Sequence, residues 1–312
     1  MAMLDPVRRN SGRARRTAAA CATAAALVFT GVPALAEMPG QLPGHAAGQA
    51  AGQIKSQAGE IFDTLQIDKV MPIISQETVA QGDELAQSLF GAPSDNGWHG
   101  RVQQIAQTER LSAIFRSGLE EGLARMTTAD RAALGRAMRF FRAPLGQRLL
   151  SVETSARQAL LSPDAETAAQ AAWDRAADRG DPRCQQILRL ITAADLVEPN
   201  VAGGLNAAMA FTRGFSAAGG YPEPVSEEQL LADVWQQEPD IRAETQTWAQ
   251  SYLMLAYGPI SDAELDRYIA FSQTSDAKTL TGLMFQAFDV LFVTTSRDMG
   301  MAAAGRIAGT DI

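Results

Sequence analysis

The residue types that most often carry acid–base or metal chemistry near neutral pH are scarce in this chain. There are two histidines, His45 and His99, and they lie far apart with no His-x-x-His, Glu-x-x-His or Cys-x-x-Cys spacing around them. A transition-metal site needs three or four convergent ligands, and a serine triad needs a histidine beside its nucleophile. Neither constellation is present. Ser275-Asp276-Ala277-Lys278 and Ser94-Asp95-Asn96 imitate two of the three motifs of penicillin-recognising enzymes. Their order is reversed, Lys278-Thr279 is followed by leucine, and the third motif's strand is missing. Ser275 reads instead as the N-cap of a helix.

Asp262, Glu264 and Asp266 lack the glycine and terminal bidentate glutamate of a calcium loop. They read as acids that favourably meet the dipole of a first helical turn, as do Glu227 and Glu228. Glu120-Glu121 reads as a solvated helix face, and no glycine-rich phosphate loop occurs. The expectation is therefore no catalytic, cofactor-binding or metal site, and no enzyme. The one candidate ligand lining is apolar: Met209, Phe211, Phe215, Met284, Phe285 and Phe288, residues equally suited to a plain core.

The N-terminal segment carries an address. Arg8, Arg9, Arg13, Arg15 and Arg16 face a single acid, Asp5, ahead of an uncharged stretch from Thr17 to Thr30. Ala34-Leu35-Ala36 follows, so basic, apolar and small-x-small regions appear in the order of a secretory signal, with cleavage predicted after Ala36. The apolar run is too short for the roughly 20 residues of a membrane span. Cys21 lies too early to be a lipidated cysteine, and Thr17-Ala18-Ala19 lacks the bulky apolar pair expected after a twin-arginine export signal. The predicted location is the periplasm.

The whole chain has 27 Lys+Arg and 35 Asp+Glu, a net charge of −8. Cleavage removes five arginines and one aspartate, leaving 22 basic and 34 acidic side chains, net −12. Such a chain repels nucleic acid and anionic membranes. Only Cys184 remains, so no internal disulfide can form. Its place beside Ile187, Leu188 and Ile191 suits a buried thiol, with a reactive or bridging one as the alternative.

The elements that must position these residues are helices. Alanine is abundant, aromatics make up 6%, and no alternating strand pattern occurs. Residues 37–52 are dense in glycine and proline and read as a flexible lead. Helical periods run from Ile54 to Phe90 with an interruption at Pro72, from Trp98 to Met126, and from Thr127. Pro144, Pro163, Pro182 and Pro199 each open a helix, and Pro239 kinks or splits another. Ser226/Gln229 and Ser261/Glu264 form capping boxes, and the clearest apolar stripe is Leu280, Leu283, Met284, Ala287, Phe288, Leu291 and Phe292. The predicted fold is an all-α bundle of roughly nine to eleven helices, with one helical half at 53–180 and another at 181–312, or one continuous domain.

A shift of 131 residues lays Ala132, Leu134, Arg136, Phe140 and Leu149 on Ala263, Leu265, Arg267, Phe271 and Leu280, which suggests an internal duplication. The segment Thr128–Gln147, with Leu134, Phe140-Phe141, Pro144 and Gly146-Gln147, resembles the hallmark of an exported bacterial helical family, domain of unknown function 2059. The second copy keeps Leu265, Phe271 and Lys278 but has lost the proline and glycine, and Arg148 departs from the lysine usual nearby. The resemblance implies a helical fold and an exported location, and it brings no catalytic residues. Two functions fit: a soluble, non-catalytic envelope interaction module with an unidentified protein partner, or a periplasmic carrier of a small apolar or lipid-like ligand.

Overall fold

The computed structural model describes residues 44–309, with side chains from 51 onward. The predicted signal at 1–36 and the first part of the lead lie outside the described residues. The described chain is helical throughout: α1 (Gly44–Thr64), α2 (Ile67–Phe90), α3 (Asn96–Ile105), α4 (Thr108–Arg125), α5 (Thr128–Arg142), α6 (Pro144–Ala159) and α7 (Pro163–Asp178), then α8 (Pro182–Ala193), α9 (Glu198–Ala217), α10 (Glu227–Trp235), α11 (Glu238–Ala256), α12 (Asp262–Ser272) and α13 (Ser275–Ile307). Among the described residues, no helix is long and apolar enough to cross a membrane.

The thirteen helices exceed the expected nine to eleven because two long periods are each divided. Ile54–Phe90 breaks at Gln66, which adopts the left-handed conformation at φ 55°, and Pro72 lies inside α2. Trp98–Met126 breaks at Ala106-Gln107, where Gln107 leaves helical geometry. Residues 44–52 belong to α1, because Ala46, Ala47, Ala50 and Ala51 favour the helix against their neighbouring glycines.

Other boundaries fall where local chemistry puts them. Thr127/Asp130, Ser226/Gln229 and Ser261/Glu264 form complete capping boxes. Pro239 splits its period into α10 and α11 by taking a first-turn position, where its missing N–H costs nothing. The N-cap of α13 is Thr274, one residue before Ser275, and its hydroxyl accepts from the Ala277 amide.

Two apolar cores are threaded by α2 and α13. The larger joins Phe62, Leu65 and Met71 to Phe115, Leu119, Phe141, Leu149, Ile187, Tyr252, Leu265, Leu280 and Phe288. The smaller joins Leu85 and Leu89 to Trp98, Val102, Phe211, Phe215, Leu230, Val234 and Met299. Both draw on residues before and after 180, so burial is shared across the expected division at 180–181. Close backbone approach holds the spine. A Cβ on Gly118 of α4 would lie 2.8 Å from Ala287 Cα, and one on Gly300 would lie 2.9 Å from Phe215 N and still closer to Phe211 O.

The Phe-Phe-Arg-Ala-Pro-Leu-Gly-Gln segment is a structural joint. Gly146 passes so close to the preceding turn that a Cβ would sit 2.5 Å from Phe141 Cα. The Gln147 amide donates to Thr64 O at 2.9 Å and Phe141 O at 2.7 Å, and its oxygen accepts from Gln66 at 2.7 Å. These bonds tie the α5–α6 turn to the break between α1 and α2. The two matched units meet face to face: Phe140 and Phe271, equivalent in the 131-residue shift, stack with centroids 3.9 Å apart and planes 4° from parallel. Arg136 adds a bidentate pair to Asp276, and Arg148 pairs with Glu264.

Candidate functional site

The charged residues that the fold buries most deeply lie on α6. Its apolar stripe carries Leu149, Leu150 and Ala156, and Glu153 and Arg157 fall on the same buried side, one turn apart. Glu153 is 7% exposed and Arg157 2%. Burying a charge without a partner is costly, so each must be answered. Arg157 forms a fork with Glu77 of α2, Nε to Oε1 at 2.9 Å and Nη2 to Oε2 at 2.7 Å. Glu153 is met by tyrosines. The Tyr257 hydroxyl donates to its Oε1 at 2.6 Å, and the Tyr252 hydroxyl donates to its backbone carbonyl at 3.1 Å.

Electrostatics follow from this placement. Burial pushes the Glu153 carboxyl from 4.5 up to about 7, against the opposing effect of the Tyr257 hydrogen bond. Burial, and then the nearby Glu153 carboxylate, holds the Tyr252, Tyr257 and Tyr268 hydroxyls well above the usual phenol range. The cluster therefore has one group that exchanges a proton near neutrality. Beside it lies a cavity of about 30 Å³, lined by Glu153, Tyr252, Tyr257, Tyr268, Phe271 and Thr281 among others. That volume accommodates one or two water-sized species. The arrangement can hold a proton or a very small polar ligand, and it offers no nucleophile activated for attack on a larger one.

The sequence motifs resolve into structural roles. Asp95 caps α3, accepting from the Trp98 amide at 2.8 Å, and Ser94 donates to Asp83 at 2.5 Å. His99 lies at the surface, 3.3 Å from Asp83 through Nδ1 and 3.1 Å from Gln103 through Nε2. His45 lies among residues whose side chains are not described. Asp262, Glu264 and Asp266 pair with Arg183, Arg148 and Arg189. Among the described residues, no three His, Cys, Asp or Glu side chains stand close enough to hold a metal ion. Cys184 is buried.

The residues of the apolar lining predicted from sequence divide between the two cores. Met209, Phe211 and Phe215 belong to the smaller core, Met284 and Phe288 to the larger, and Phe285 is half-buried. None lines the Glu153 cavity or a second cavity of about 30 Å³ between α2 and α13. Their helical spacing reflects core packing: α9 and α13 lie along each other, with Gly300 of α13 against the α9 backbone at Phe211 and Phe215.

At the surface, α10 is apolar on two sides. Leu230 and Val234 enter the smaller core, while Leu231 and Trp235, also one turn apart, remain 46% and 57% exposed. Glu227 and Glu228 occupy the first turn of the helix, and Glu238 and Asp240 follow it. Glu227 is paired with Arg213. Glu238 is likewise paired with Arg242, and Glu228 lies one turn before Leu231 on the same helix face.

No protein-family model matches the chain, and neither a curated protein nor a solved structure shows significant similarity to it.

Proposed function

We propose that the chain is an exported, non-catalytic interaction module of the bacterial envelope that docks a partner protein through α10. The observation that carries this reading is the outward pair Leu231 and Trp235, one turn apart on α10. A large apolar side chain left in water is a common anchor of protein interfaces, and tryptophan is among the residues most enriched in their energetic centres. Glu228, one turn before Leu231, favours a partner segment that presents a bulky apolar side chain flanked by lysine or arginine. The basic, apolar and small-x-small order of residues 1–36, and the resemblance of Thr128–Gln147 to domain of unknown function 2059, support an exported location. A periplasmic carrier of a small apolar or lipid-like ligand is the alternative; of the residues that suggest it, Met209, Phe211 and Phe215 pack in the smaller core, Met284 and Phe288 in the larger, and Phe285 is half-buried.

The test places a photo-crosslinking amino acid at position 235 and, as a control, at Gln170 on the exposed side of α7. The expected result is a discrete adduct from 235 alone, weakened by salt and by Leu231→Ser, with unfolding midpoints unchanged. Identical adducts from both positions overturn the docking face. Fractionation with intact-mass measurement tests the address: a periplasmic chain beginning at Glu37 is expected, and a cytoplasmic chain retaining residues 1–36 refutes export.

A further inference from the structure

The buried cluster on α6 has features that the docking face does not use. Glu153 is held by Tyr257 through Oε1, while Oε2 has no hydrogen-bond partner among the described residues. Thr281 of α13 is 6% exposed, lines the same cavity, and its hydroxyl likewise has no partner among the described residues. Ser272, also lining it, donates to Tyr268 O at 2.9 Å and keeps its oxygen lone pairs available. The remaining wall is aromatic, with Tyr252, Tyr257, Tyr268, Phe141 and Phe271. A carboxylate oxygen, two hydroxyl oxygens and several ring faces are all acceptors of positive charge.

We propose that this pocket binds one small monovalent cation, with ammonium the best-fitting species. Ammonium matches a water molecule in size, so it suits a cavity of about 30 Å³. It can also donate hydrogen bonds in four directions, to Oε2 of Glu153, to the Thr281 and Ser272 hydroxyls, and to a ring face. The neighbouring buried cation does not compete, because Arg157 is neutralised by its fork with Glu77. The charged and titratable groups facing Glu153 are thus the Arg157–Glu77 pair and the three tyrosines, which stay neutral. Binding requires the ionised carboxyl, so a protonated Glu153 releases its proton to solvent as the cation enters. Below the titration of Glu153, affinity weakens by about tenfold per pH unit, as the competent fraction falls.

The test uses the full exported chain and ammonium chloride, with sodium chloride holding ionic strength constant. At pH 8, ammonium is expected to raise the thermal midpoint of the native sequence, to do so less at pH 6, and to have no effect on Glu153→Gln. Thr281→Val, which keeps the charge, is expected to weaken the response several-fold. Tetramethylammonium, too large for the cavity, is expected to give no response. Equal stabilisation by ammonium and tetramethylammonium overturns the proposal, since it reports diffuse binding to surface acids. So does a response that survives Glu153→Gln, or the absence of any response from the native sequence at pH 8.

Discussion

Replacing Glu153 by glutamine removes a titration from the middle of the protein while keeping the side chain's shape and an oxygen for the Tyr257 hydroxyl. Its carboxyl stands at about 7 in the folded chain against an ordinary value of 4.5. The folded state therefore keeps a proton that the unfolded chain releases. This contribution to stability is fully present below pH 4.5, is lost as pH rises toward 7, and stays lost above. A separation of that size, at 1.36 kcal/mol per unit, corresponds to about 3 kcal/mol. Glutamine has no such slope. The stability of Glu153→Gln relative to the native sequence is expected to climb by about 3 kcal/mol between pH 4.5 and 8, or roughly 6 °C in thermal midpoint. Urea unfolding of both chains across that range, in ammonium-free buffer, gives the difference directly. Contributions from other carboxylates cancel in it. A difference that stays constant with pH refutes the claim that Glu153 is buried without charge compensation.

Gly300→Ala is expected to destabilise the fold by about 3 kcal/mol, near the upper end for overpacking, because its Cβ would press on the α9 backbone at Phe211 and Phe215. Urea unfolding reads this, with Gly203→Ala as a neighbour-free comparison. Cys184 is buried and its thiol is raised by burial and by Asp181. Labelling by a thiol reagent at pH 8 is expected to proceed only at the rate of local opening, with the thiol reacting at once in denaturant. Immediate labelling of the native chain contradicts the packing around α8.

The helical fold is legible in the sequence because its signals are local. Caps at Ser226 and Ser261, first-turn prolines at 144, 163, 182 and 239, and the left-handed Gly180 and Gly219 each act within a few residues. The break at Gln66 is not legible, since a non-glycine residue takes the left-handed conformation there and its side chain is secured by Gln147, 81 positions away. The buried cluster is unreadable for a similar reason. Glu153 meets Tyr252 and Tyr257 across 99 and 104 positions, and each residue taken singly looks like an ordinary member of an amphipathic helix. One signal was present: Glu153 falls on the stripe of Leu149, Val152 and Ala156, where a carboxyl has no solvent to face. For α10, the pair Leu231 and Trp235 continues the apolar run of Leu230 and Val234, so burial and exposure on that helix are separated only by the position of α9.

The spine formed by α13 sets a timetable for the chain. Arg110 of α4 pairs with Asp298, 188 positions later, and Arg136 of α5 waits 140 positions for Asp276. At a synthesis rate of about 5–20 residues per second, the partners of α4 and α5 emerge roughly 7–40 s after those helices do. Until then α4 and α5 close only against α1, α2 and α6, and the larger core lacks the side chains that α13 brings to it, Leu280, Leu283, Met284, Phe288 and Leu291. In a nascent chain of this design the larger core is finished only when its last long helix arrives, so the final cooperative closure belongs to the end of translation.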